Sequence, residues 1–299
     1  MLSIDIFGFV ALWSPYFFVG LTLLTLLYFM VVGPWRNRFA LDEPISLKQK
    51  VLFVTAMLLI YICKGSPIDL LGHLSFSAHM TQMAILYLIV PQFLLLGIPT
   101  KLYEKIFKKK TIKKTVTFLT KPVVSLIMFN GLFSFYHVPM IFDVVKTNMI
   151  LHAIVTSVIF FAALMMWWPI VMKLPGWPTL SGVKKLGYIF ADGVLLTPAC
   201  ALIIFADTPL FATYYDPKAW MAALELCVPA TTLSSLDLSG PQMFVSMSNI
   251  HDQQLGGVLM KIIQEIVYGT VLFFIFVEWY KNERGKDPTP NTLPPQPVE

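Results

Sequence analysis

Histidine, methionine and cysteine are the residue types here whose spacing could support chemistry. The histidines are His73, His79, His137, His152 and His251. The stretch His79-Met80-Thr81-Gln82-Met83 puts His79 and Met83 one helical turn apart on one face. Met243, Met247 and His251 fall at i, i+4 and i+8, and would align if that stretch is helical. Imidazole with thioether and few carboxylates is a ligand set suited to copper, above all Cu(I). Zinc more usually shows Cys clusters or His with carboxylate, and calcium wants oxygen. A plain alternative stands beside each residue. Methionine fills gaps in apolar packing, the first reading of Met80 and Met83. A lone histidine at a helix end is commonly a hydrogen-bonding terminus, the first reading of His73 and His251. The cysteines Cys63, Cys200 and Cys227 contain no C-x-x-C pair. Cys200 and Cys227 could pair in an oxidising exterior, or be small buried hydrophobes. No Gly-rich phosphate loop, Ser/His/Asp order or nucleotide motif stands out.

The elements that must position these residues follow from composition. Of 299 residues, 57% are hydrophobic and 13% charged. That excludes a soluble enzyme, a disordered chain and a secreted disulfide scaffold, and makes lipid the solvent. Apolar runs at about 13–33, 49–64, 71–97, 121–138, 149–172, 186–206 and 256–280 predict an all-α bundle of seven membrane spans over residues 1–285. Eighteen of the 22 Lys and Arg residues then fall on one side, including the Lys-rich 101–121 link, whereas Lys64, Lys146 and Lys218 fall on the other. The positive-inside rule puts the N-terminus outside and the C-terminus in the cytoplasm. The +5 net charge therefore reads as a topology signal, not a nucleic-acid signal. No cleavable signal peptide is expected. The long loop 207–255 is expected outside, with a short helix near Ala219–Leu226. The proline-rich tail 286–299 is expected to be disordered.

In this topology all five histidines lie towards the outer side. His73 and His79 are expected at the start of the third span, with His79 about 9 Å deeper by the helical rise. His137 ends the fourth span, His152 begins the fifth, and His251 precedes the seventh. His79, His137 and His152 thus come from three helices at similar depth. Other intramembrane polar groups are few. Lys261 and Glu265, four apart, can neutralise each other. Asn130 and Gln82 can bond across helices, and Asp192 has no obvious local partner.

Together these pieces resemble the Gram-positive, integral-membrane CtaG family of cytochrome c oxidase assembly factors for the caa-type oxidase. His79-Met80 with Pro91 and Leu94-Leu95-Leu96-Gly97-Ile98-Pro99 is similar to the family's third span. His137-Val138-Pro139 is similar to its His-x-Pro, and His152 with Trp167-Trp168-Pro169 to its fifth span. Asp252-Gln253-Gln254-Leu255-Gly256-Gly257 with Met260 is similar to its entry into the last span. The chain departs from many relatives in having Met83 where they carry a second His, and Lys261 where they carry Trp. The resemblance implies a non-enzymatic role in maturing a haem–copper oxidase in the bacterial plasma membrane. Its partners would be the catalytic subunit and an extracytoplasmic copper donor. It adds Asp252 to the candidate metal ligands His79, His137, His152, Met80, Met83, His73, His251 and Met260, the last a methionine near the top of the seventh span.

Four readings remain open at this stage. The first is copper binding and transfer. The second is a metal-free scaffold whose histidines bond between helices. The third is a redox protein with haem between facing histidines, disfavoured because the histidines crowd one side. A transporter is fourth, since polar groups at the midplane are sparse.

Overall fold

A computed structural model describes residues 2–39, 41 and 44–284; the expected tail 286–299 lies outside them. Among the described residues the fold is helical, without strands. Besides shorter turns, the helices are α1 (Pro15–Val32), α2 (Leu47–Gly65), α3 (Pro67–Leu74), α4 (Phe76–Gly97), α5 (Lys110–Leu119) and α6 (Pro122–Tyr136). They continue with α7 (Pro139–Lys146), α8 (Met149–Val171), α9 (Gly182–Ile204), α10 (Pro217–Leu224) and α11 (Asn249–Arg284). Five helices are long and apolar enough to cross a membrane: Ile4–Val32, which contains α1, and α4, α8, α9 and α11. The count reaches seven if the bent pairs α2–α3 (47°) and α5–α6 (70°) each form one span. The chain is a membrane protein whose spans agree with the apolar runs to within that range.

Two features differ from the sequence expectations, and one open alternative is decided. The run 71–97 is not one helix. Ser75 is extended (φ −138°, ψ 132°), so His73 lies on α3 and His79 on α4. The 9 Å depth difference assumed an unbroken helix and does not apply. The methionine–histidine alignment at 243–251 also fails. A short turn at Pro241–Met243 is followed by non-helical chain, and α11 starts only at Asn249. Pro241 and the positive φ of Gly240 (153°) suit a turn. Finally, Cys63, Cys200 and Cys227 are all free. The short outer-loop helix is found at Pro217–Leu224, close to where it is expected.

Backbone groups released by proline find partners, as an apolar solvent requires. Pro91 has no N–H for the carbonyl of Tyr87, four residues earlier. α4 widens into a π-type turn over Ile85–Ile89, and the Trp167 indole N–H of α8 donates to that carbonyl at 3.0 Å. At the bend before α3, the Ser66 hydroxyl donates to the Ile62 carbonyl (2.6 Å) and accepts from Ile68 N–H (3.2 Å).

Helix α11 joins the bundle through Gly256 and Gly257. A Cβ on Gly256 would lie 2.7 Å from the Phe76 ring and 3.1 Å from Met80 Cγ; one on Gly257 would lie 2.7 Å from Ile204. The two glycines thus let α11 approach α4 on one side and α9 on the other. Lower in the bundle, Asp192 is buried and accepts from Asn130 Nδ2 at 2.5 Å and from the Tyr268 hydroxyl. Its partners lie on α6 and α11, so the residue without a local partner has two distant ones. Lys261 and Glu265 pair at 2.8 Å, as their spacing predicts.

Candidate metal centre

Four histidines meet at one end of the bundle, each placed there by a different helix or helix end. The N-terminus of α4 carries His79. It is fixed by Asp252 of α11, whose carboxylate accepts from Phe76 N–H (2.6 Å), Ser75 Oγ (2.7 Å), Ser77 Oγ (2.5 Å) and Ser77 N–H (3.3 Å). A carboxylate at a helix N-terminus satisfies orphan donors and complements the dipole. Asp252 therefore belongs to the framework, with its oxygens already committed. Gln253 beside it accepts from Leu210 N–H at 2.7 Å and so ties the outer loop to α11.

His137 caps the C-terminus of α6, with Nδ1 2.8 Å from the Phe133 carbonyl. That contact puts the proton on Nδ1 and leaves the Nε2 lone pair free. His152 lies in the first turn of α8, whose N-terminus is capped by Asn148 accepting from Leu151 N–H at 2.9 Å. His73 sits in the last turn of α3. The rings form two pairs: His79 and His137 have centroids 6.3 Å apart, and His73 and His152 6.2 Å apart.

Lys146, the last residue of α7, joins the pairs. It is 2% exposed. Its amine lies 3.4 Å from His79 Nδ1 and 3.3 Å from the Gly72 carbonyl, which also accepts from the Tyr214 hydroxyl at 2.7 Å. Burial, reinforced by the Lys64 ammonium, pushes Lys146 down to about 7. The sequence reading used Lys146 only as a charge on the outer side. No local signal distinguished it, because all these partners are distant in sequence.

An aromatic wall closes the cluster. The Phe142 ring lies 5.2 Å from His79, 6.0 Å from His137 and 4.6 Å from Phe211. Phe76 stacks on Phe211 at 4.5 Å. The loop carrying Phe211 and Tyr214 is pinned by Asp143, which accepts from Ala212 N–H, Thr213 N–H and Thr213 Oγ1, each at 3.0 Å. The wall too was missed from sequence, because Phe142 and Phe211 look like ordinary apolar residues.

Within this wall, His79 Nε2, His137 Nε2, both ring nitrogens of His152, His73 Nδ1 and the Tyr136 hydroxyl are buried without a hydrogen-bond partner among the described residues. Buried polar atoms are normally satisfied, at a cost of roughly 1–3 kcal/mol each when they are not. The set is rich in neutral nitrogen donors and has no free carboxylate, which fits a soft monovalent ion better than calcium or magnesium.

Among the described residues, the methionines and His251 are not seen in contact with the imidazoles. Met80 is buried and packs beside Gly256 of α11. Met83 and Met260 are buried in the same apolar core. His251 is exposed, as is Met247.

The fold and this cluster define a polytopic helical membrane protein with a buried polar centre at one end. Compared with known families, residues 26–282 match the cytochrome c oxidase caa3 assembly factor family (Caa3_CtaG), and the chain belongs to it. The match covers the pieces on which the sequence resemblance rests. No curated protein matches the chain, and no solved structure does.

Proposed function

We propose that this oxidase assembly factor carries copper as cargo, held as Cu(I) by His79, His137 and His152, and passes it to the catalytic subunit of the oxidase. The observation that carries the reading is the group of partnerless imidazole nitrogens inside an apolar wall. Neutral imidazoles supply lone pairs without fixed charge, and Cu(I) accepts them. His73 lies beside the site, its ring paired with that of His152.

The histidine end faces the outside of a bacterial plasma membrane in this reading, as the distribution of Lys and Arg supports. Release is ligand exchange: an imidazole of the acceptor bonds to the ion as one of the donor's lets go, with no change of oxidation state. A lateral route suits that exchange. An apolar groove of about 1130 Å³ runs between α6 and α9 and is lined by His137, Pro139, Pro198 and Leu202. It gives a membrane-embedded partner access to the His137 edge of the cluster. The role is non-catalytic, with the oxidase subunit and an extracytoplasmic copper donor as partners.

The test is the copper content of the oxidase isolated from cells carrying wild-type protein, His79→Ala or His152→Ala. Both variants are expected to yield oxidase that contains haem but lacks active-site copper. Full copper in both would overturn transfer and leave a metal-free scaffold as the function.

A further inference from the structure

We propose that Asp69, His73 and Cys227 form a separate metal site, at the rim of the histidine end, for a divalent cation of the zinc class. One oxygen, one nitrogen and one sulfur from these residues lie within 4.8 Å of one another. From the sequence, Cys227 could pair with Cys200 or be a small buried hydrophobe, and Asp69 carries no signal of its own.

Local structure explains the grouping. Asp69 and His73 are four apart on α3, so they share a face. Cys227 follows α10 in the outer loop. That loop is pressed onto α3 by an apolar core in which Leu70 and Leu74 pack with Trp220, Leu224 and Val228. The Lys64 ammonium holds Asp69 Oδ1 at 2.9 Å and fixes the carboxylate's orientation, as outer partners do for metal-binding carboxylates. The His73 side chain is almost fully buried and its Nδ1 has no partner among the described residues.

The donor chemistry differs from that of the inner cluster. Thiolate and carboxylate bring two negative charges, one of them partly offset by the Lys64 ammonium, and sulfur, nitrogen and oxygen donors together suit a divalent borderline ion. As the metal–sulfur bond forms, the Cys227 thiol gives its proton to solvent, and the oxidation state of the ion is unchanged. Asp69 keeps 16% of its side chain exposed and Lys64 32%, so the trio is open to water and to an incoming ion on that side. Three protein ligands leave a fourth position for water. This site stands whether or not the inner histidines hold copper.

The experiment is Co²⁺ titration of purified full-length protein in detergent under reducing conditions, read by the thiolate-to-cobalt charge-transfer band. Wild type and His79→Ala are expected to develop the band, and Zn²⁺ to abolish it. Cys227→Ser should lose it, whereas Cys200→Ser should keep it. Asp69→Asn, which preserves shape, should bind at least tenfold more weakly and serves if Cys227→Ser does not fold. No band in wild type, a band retained in Cys227→Ser, or unchanged affinity in Asp69→Asn would each overturn the proposal. Loss of the band in His79→Ala would show that the thiolate site depends on the inner cluster and overturn its separateness.

Discussion

The amine of Lys146 lies 3.4 Å from Nδ1 of His79, both inside the apolar wall. A charged Lys146 can only donate to Nδ1, which puts the ring proton on Nε2 and withholds that lone pair from a metal ion. A metal ion at Nε2 therefore requires the neutral amine, which accepts from Nδ1–H. Lys146 thus weakens cation binding and favours release.

Lys146→Met keeps most of the volume and removes the charge. Cu(I) should be held about tenfold more tightly, equivalent to about 1.4 kcal/mol. Competition against a Cu(I) chelator reads the change, and transfer to the oxidase should slow. Equal or weaker binding in this variant would mean that Lys146 acts only as a hydrogen-bond donor to Gly72.

Asp252 and His251 are neighbours with opposite expectations. Asp252→Ala strips four acceptor contacts from the start of α4, and hydrogen bonds to a charged group contribute about 1.5–3 kcal/mol each. The unfolding temperature should fall by several degrees, with loss of metal binding as His79 shifts. Exposed His251→Ala should change stability by less than about 0.5 kcal/mol and leave copper binding intact. Thermal unfolding in detergent distinguishes the two; a similar fall in both would contradict the placement of α11.

The histidine end was legible in the sequence because apolar run length marks the membrane helices, of which five, or up to seven with the bent pairs, are found, and the order of spans gathers His79, His137 and His152. The break at Ser75 was hidden, since residues 71–97 are apolar throughout and the carboxylate that caps α4 lies 177 residues away. Lys146 was hidden for the same reason: its burial depends on Gly72, His79 and Tyr214, none of them local. Met80 and Met83 satisfied a copper spacing and a packing spacing equally well. Only the position of Gly256 shows that Met80 packs beside α11.

Gly256→Val tests that packing. Its side chain would meet Phe76 and Met80, and the ring of Phe76 is already fixed between Phe211 and Phe142. Forcing volume into a packed interface costs about 1–3 kcal/mol. The variant should show reduced yield in the membrane and a lower unfolding temperature. Val258→Leu, on the exposed face of the same helix, should show neither.

Trp167→Phe removes the indole N–H from the Tyr87 carbonyl that Pro91 leaves free. An unsatisfied buried carbonyl costs about 1–3 kcal/mol. Hydrogen exchange around residues 85–91 should speed up relative to wild type. Unchanged protection would mean that water or another group takes over the contact.

The central claim is that the buried imidazoles hold copper, and metal analysis of purified protein loaded with Cu(I) under reducing conditions tests it most directly. Wild type should retain copper through desalting, and His79→Ala and His152→Ala should lose it while keeping their fold. A wild-type protein that retains no copper, or variants that retain as much as wild type, would contradict the account.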